Sequence, residues 1–190
     1  MKIALLALVI FAMLAARAAA MGDFIIVSVP DQRLALIQNG VRVAEYPVST
    51  SRYGVGDGLG SFATPLGMLE VAQKIGDFAP PGAVFKSRRF TGEILSPNAR
   101  GRDPIVTRII WLRGLDLATS HAFERCIYIH GTPVEKSIGK PASYGCIRMR
   151  SRDVISLFDR VAVGARIQIA NLPISRAVSQ LAIAAQIAAN

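Results

Sequence analysis

The hydrophobic pattern changes period several times along the chain. Three strand-like runs open it: Phe24–Val29, rich in β-branched and aromatic residues, Arg33–Gln38 after a Pro30-Asp31 turn, and Val41–Val48 after Asn39-Gly40. Asn-Gly between such runs predicts a hairpin, because both central residues of a type I′ turn need positive φ. An antiparallel meander is therefore expected. Met68–Gln73, Ile105–Trp111 and Cys126–Ile129 read as further strands between loops rich in Pro, Gly and Arg, and Arg166–Ala170 reads as a closing strand. One interior segment has helical period: Ser151 as cap, Asp153 in the first turn, Val154, Ile155, Leu157, Phe158 and Val161 on one face, and Gly164 as the stop. Residues 49–67, with Gly54, Gly56, Gly58 and Gly60 at alternate positions, predict a long flexible surface loop. No Gly-Lys-Ser/Thr ending follows them, so a nucleotide-binding loop is excluded.

The two ends differ from this middle. Residues 1–20 place Lys2 before an apolar run, Ile3–Ala16, that ends in Ala18-Ala19-Ala20. That order predicts a signal peptide cleaved after Ala20, since the 14-residue run is shorter than the roughly 20 apolar residues a spanning helix needs. Residues 171–190 form an Ala-rich tail whose pattern predicts a helical or flexible segment packed on the domain. Residues 24–170 remain as one mainly β domain with few short helices.

Composition adds limits. A chain of 190 residues fits one domain, and 52% hydrophobic against 18% charged residues is too apolar for disorder. The formal net charge is +9, or +7 without Lys2 and Arg17. No recognition motif or stacking-aromatic pattern accompanies the basic residues, which argues against a nucleic-acid partner. In an exported protein the same charge suits the anionic carboxylates of a cell wall. Two cysteines are too few for a disulfide scaffold, and two histidines outside any Cys/His cluster predict no metal site.

The chemistry gathers in Arg125–Met149. A strand delivers His130 at its end, followed by Gly131, and the loop beyond returns through Ser143-Tyr144-Gly145 to Cys146, 16 residues after the histidine. A cysteine on a tight turn and a strand-end imidazole can meet across such a loop, the imidazole taking the thiol proton and lowering its pKa. Gly145 lets backbone pass close to a substrate, and N–H groups around Tyr144–Cys146 can face a developing oxyanion. Arg148 offers a fixed charge for a substrate carboxylate or for the thiolate. Tyr128 is either a core aromatic or a pocket wall. Asp103, Glu93 and His121 read as loop residues without catalytic partners.

This stretch resembles the L,D-transpeptidase family of peptidoglycan cross-linking enzymes, the YkuD-type catalytic domain. The resemblance is carried by Ile129-His130-Gly131-Thr132 and Ser143-Tyr144-Gly145-Cys146-Ile147-Arg148-Met149, and upstream by Tyr46–Thr50 and Thr64–Gly67. It implies a mixed β-sandwich or barrel-like fold, no cofactor, and a cysteine at position 146 that attacks a donor tetrapeptide stem. An acceptor amine would then resolve the thioester. It further implies an exported, periplasmic or wall-associated protein with no stable membrane span after signal cleavage. Many members carry Ser-His-Gly-Cys where this chain has Ser143-Tyr144-Gly145-Cys146, and a phenol is a poor base at neutral pH. His130 is thus the natural base, with Tyr144 a hydrogen-bond donor or pocket wall. Water in place of the acceptor would make the same site an L,D-carboxypeptidase.

Rival readings differ in residue order or class. A sortase-like enzyme lacks its Thr-Leu-x-Thr-Cys strand here, and a papain-like peptidase puts cysteine before histidine. A non-catalytic wall-binding β-domain would bridge Cys126 to Cys146.

Overall fold

The computed structural model describes residues 22–188. The expected signal peptide, residues 1–20, lies outside them. Strands β1 (Phe24–Ser28), β2 (Arg33–Gln38) and β3 (Val41–Pro47) form the meander, with Asn39 and Gly40 both at positive φ in its hairpin. There follow β4 (Gly67–Ile75), β5 (Ala83–Lys86), β6 (Arg89–Ile94), β7 (Ile105–Gly114), β8 (Tyr128–Gly131), β9 (Ile147–Met149), helix α1 (Ser151–Arg160), β10 (Arg166–Ala170) and helix α2 (Ile174–Ala188). The strands make one mixed sheet in the order β3-β2-β1-β10-β4-β7-β5-β6, with β8 joined to β7 and β9 joined to β8. Two pairings are parallel, β1 with β10 and β8 with β9.

Both faces of the meander are covered, which is why β1 and β2 read as nearly continuous apolar runs. Ile25, Val27, Leu34 and Leu36 enter the main core with α1 residues Val154, Leu157 and Phe158. The alternate residues Ile26, Ala35 and Ile37 pack with Ala177, Val178 and Leu181 of α2. No helix of the described residues is long and apolar enough to cross a membrane.

Four local expectations change. Cys126 has φ +56 and precedes the strand, so β8 begins at Tyr128 and not at Cys126. Hairpin β5–β6 and the three-residue β9 lack an alternating signal strong enough to show in sequence. Ser151 is the first residue of α1 and not its cap; its N–H donates to the Glu135 carboxylate at 2.8 Å, so a distant loop supplies the cap. Residues 49–67 are not a free surface loop. Ser49 pairs with Arg148, Ser51 with Ser143, and Ser49, Thr50, Ser51 and Thr64 are buried. Short polar side chains satisfied by backbone groups let the two ends of this segment run inside the fold, while Arg52–Val55 and Gly58–Gly60 between them stay exposed.

Candidate active site

The parallel register of β8 on β9 organises the site. Ile129 lies level with Ile147, His130 with Arg148 and Gly131 with Met149, so Tyr128 falls beside Cys146. Side chains alternate along each strand. Ile129, Ile147 and Met149 enter the main core, and Tyr128, His130, Cys146 and Arg148 share the opposite face.

Cys146 is held by a short turn laced to the 49–67 segment. Ser143 Oγ donates to the Cys146 carbonyl at 2.6 Å, and Ser143 N–H donates to the Thr50 carbonyl at 3.0 Å. Thr64 Oγ1 donates to the Gly145 carbonyl at 2.9 Å. Gly145 has φ +117, and a Cβ there would stand 3.2 Å from the Ala63 carbonyl oxygen, so a side chain would strain the turn. Its N–H donates to Ser143 Oγ at 3.2 Å and is therefore taken. Among the described residues no hydrogen bond occupies the N–H of Tyr144 or Cys146.

The thiol faces its own strand pair. Sγ accepts from Tyr128 N–H at 3.4 Å and donates to the Cys126 carbonyl at 3.4 Å, rather than meeting His130. His130 is buried and its Nδ1 lies 2.8 Å from the Gly131 carbonyl. An Nδ1–H donated there leaves Nε2 as the free lone pair. Burial, with Arg148 adding to it, lowers the His130 pKa to about 4, against the opposing pull of the Gly131 carbonyl and Asp103. Burial pushes the Cys146 thiol up to about 11, only partly offset by the Tyr128 N–H bond. The expected lowering of the thiol is thus reversed: desolvation of a thiolate outweighs the cations around it. Burial thus favours the neutral form of both groups.

Other expected residues take different places. Arg148 is buried and not free for a substrate carboxylate: it is ion-paired to Asp103, and Nη2 donates to Ser137 Oγ at 2.8 Å. Asp103 also accepts from Thr132 Oγ1, so it is a structural partner of the site and not a stray loop charge. Gly131 is buried against β7, where a Cβ would stand 2.6 Å from the Val106 carbonyl oxygen, and its own carbonyl faces the His130 ring. Tyr128 is a core aromatic, edge-on to Trp111, with its hydroxyl accepting from Arg88 at 3.3 Å. Tyr144 is exposed and forms a rim with Tyr53 and Phe62 at centroid distances of 5.5 and 5.7 Å, under the Arg52 guanidinium.

This rim edges a cleft of about 320 Å³ lined by Ser61, Phe62, Arg125, Ile127, Tyr144 and Cys146. Arg125 and Asp57, both buried, pair at 2.7 Å. Arg125 also donates to the Ser61 and Ala63 carbonyls at 2.8 and 2.6 Å, fixing the wall of the cleft. His121 is half-exposed and tied to the same aspartate through its N–H at 2.6 Å. No local motif flags Asp103 or the Asp57–Arg125 pair, because each partner is distant in sequence. Both cysteines are free. Cys126 Sγ faces the Glu124 carbonyl and Arg88, while Cys146 Sγ faces the Cys126 backbone, so the bridge of the wall-binding alternative is absent.

The sequence model of the L,D-transpeptidase catalytic domain, YkuD, matches residues 22–169. The chain belongs to this family. "Probable L,D-transpeptidase ErfK/SrfK" of Salmonella typhimurium is 46% identical over 54 residues, covering 28% of this chain and 18% of that protein. "Probable L,D-transpeptidase YcfS" of Escherichia coli is 37% identical over 67 residues, covering 32% and 21%. The matched segments thus span about a fifth of those relatives. L,D-transpeptidase 3 of Mycobacterium tuberculosis superposes with TM-score 0.51 at 14% identity, over 78% of this chain and 60% of that one. An Enterococcus faecium L,D-transpeptidase does so with TM-score 0.51 at 15% identity, over 79% and 50%. These likenesses concern the L,D-transpeptidase fold, and the mainly β architecture expected from sequence agrees with them.

Proposed function

We propose that this protein is an exported cysteine L,D-transpeptidase acting on peptidoglycan stem peptides at the periplasmic or wall side of the membrane. The observation that carries the reading is the placement of Cys146 at the cleft, on one face of β8–β9 with His130. The two are diagonal neighbours. Strand spacing and two residues of rise put their Cα atoms about 8 Å apart, within reach of two side chains once Sγ turns from the Cys126 carbonyl.

In acylation, Sγ attacks the carbonyl of the diamino acid that precedes the terminal D-alanine, and the thiol proton passes to His130 Nε2. A thiol near 11 and an imidazole near 4 make a stable ion pair unfavourable, so transfer accompanies attack. The N–H groups of Tyr144 and Cys146 receive the oxyanion. The C–N bond breaks, His130 returns its proton to the departing D-alanine amine, and a thioester remains. An acceptor amine attacks that carbonyl and gives a proton to His130. The C–S bond breaks, and the proton returns to sulfur. Arg148 and Asp103 hold β9 level with β8 and touch no reacting atom.

Mature protein incubated with tetrapeptide muropeptides and followed by mass spectrometry tests this. Cross-linked dimers and loss of D-alanine are expected. Cys146→Ala should lower turnover about a thousand-fold or more while thermal unfolding stays near wild type. Tripeptide without dimer would assign an L,D-carboxypeptidase, and turnover retained in Cys146→Ala would sink the thiol mechanism.

A further inference from the structure

Arg125 places a buried charge beside the nucleophile. It lines the Cys146 cleft and precedes Cys126, whose carbonyl accepts the Cys146 thiol proton. Its side chain is 5% exposed, and the Asp57 carboxylate that meets it is 6% exposed. Nη1 donates to Asp57 Oδ1 at 2.7 Å and to the Gly56 carbonyl at 3.1 Å, and Nη2 donates to the Ser61 and Ala63 carbonyls at 2.8 and 2.6 Å. The other Asp57 oxygen accepts the His121 N–H at 2.6 Å, so the carboxylate is tied at both ends. The fifth N–H of the guanidinium, on Nε, is buried with no partner among the described residues.

Stability alone is a poor account of this arrangement. A buried guanidinium gives up its hydration, and an unmet N–H adds to that cost. What the bonds achieve is a hold on Cys146 from two directions. On one side Cys126, the next residue, presents its carbonyl to Sγ. On the other, Ala63 precedes Thr64, whose Oγ1 donates to the Gly145 carbonyl at 2.9 Å, immediately ahead of the nucleophile. Phe62, a wall of the cleft, lies between the two carbonyls that Nη2 holds. The charge acts on the thiol as well. Burial raises the Cys146 thiol, and after the Tyr128 N–H bond the groups that oppose this include the charges of Arg125 and Arg148.

We infer that Arg125 is a positioning residue for attack by Cys146: its fork seats the cleft wall against the donor peptide, and its charge, tempered by Asp57, favours the developing thiolate. The donor rests on the transpeptidase reading; the effect on the thiol does not. Lysine cannot replace the fork, because one ammonium on a flexible stem does not span a carboxylate and three carbonyls. Asp57 carries the opposite sign, so breaking the same pair from its two sides should move the thiol in opposite directions. A merely structural clamp would move it the same way in both.

The test is alkylation of Cys146 by iodoacetamide at pH 8 in the full chain, read at each cysteine by mass. Far below the thiol pKa the rate follows the thiolate fraction. Arg125→Gln should slow it about three-fold, Asp57→Asn should speed it about three-fold, and Arg125→Lys should stay near wild type. Arg42→Gln, on edge strand β3, controls for net charge and should leave the rate unchanged. With a tetrapeptide donor, Arg125→Lys should raise KM about ten-fold while kcat stays within about three-fold. Alkylation that shifts the same way in Arg125→Gln and Asp57→Asn, or that slows in Arg125→Lys as far as in Arg125→Gln, overturns the inference. An unchanged KM in Arg125→Lys does so too. If Arg125→Gln loses its fold in thermal unfolding, Asp57→Asn decides alone, and a rate at or below wild type overturns the inference. Failure of wild type to form a thioester would instead sink the transpeptidase reading and leave the alkylation result standing.

Discussion

The two faces of the β8–β9 pair differ in what holds them. On one, Ile129, Ile147 and Met149 are fully buried in the main core and need only volume and apolarity. On the other, His130, Cys146 and Arg148 sit among polar partners, some on the same strand pair and some from other loops: Gly131 O for the imidazole, the Tyr128 and Cys126 backbone for the thiol, Asp103 and Ser137 for the guanidinium. The apolar face fixes where the strands lie. The polar face uses that placement to keep ionisable groups neutral or paired while they stay close to a cleft.

Four measurements sharpen that contrast. Ile147→Ala should cost about 3–4 kcal/mol in chemical denaturation, because a fully buried side chain leaves a cavity in a packed core; a cost under 1 kcal/mol would mean the core face can collapse around the loss. Next in size is the pH dependence from His130, whose folded pKa of about 4 lies below its ordinary 6.5. Its buried neutral form contributes stability that is complete above pH 6.5 and lost as pH falls towards 4, amounting to about 3 kcal/mol. His130→Gln should flatten denaturation midpoints over that window, and an unchanged slope would place the imidazole in water. Asp103→Asn removes the charge opposite Arg148 and should cost about 2 kcal/mol, a buried-pair penalty discounted for the partial exposure of the aspartate. A smaller loss in that variant than in Arg113→Gln, which breaks an exposed pair with Glu70, would contradict the assignment. Tyr144→Phe is the mildest, because the ring and not the hydroxyl makes the contacts. Stability should stay within about 0.5 kcal/mol and acylation within about three-fold of wild type. A much larger drop in acylation would give the phenol a direct part in the chemistry.

Much of the fold is legible in the sequence because its signals are local. Asn39-Gly40 marks its hairpin, the period of Val154–Phe158 marks α1, and Ile25–Val27 read as strand since both neighbouring layers are apolar. Strand β9 is illegible alone: three residues after a tight turn become a strand only by pairing with β8. The burial of Ser49–Ser51 and Thr64 is hidden for the same reason, since small polar residues look like surface loop until the Cys146 turn supplies hydrogen-bond partners.

The sequence by itself placed His130 and Cys146 in one stretch with a turn between them and marked this stretch as L,D-transpeptidase-like. The tertiary structure decided the electrostatics. Whether a thiol is raised or lowered, whether Arg148 is free, and how the Gly145 turn is anchored depend on groups brought in from Tyr128, Asp103, Ser137 and Thr64. Hydrophobic period and turn chemistry act between near neighbours and survive in a string of letters. Desolvation and charge pairing act through space between residues that only folding brings together.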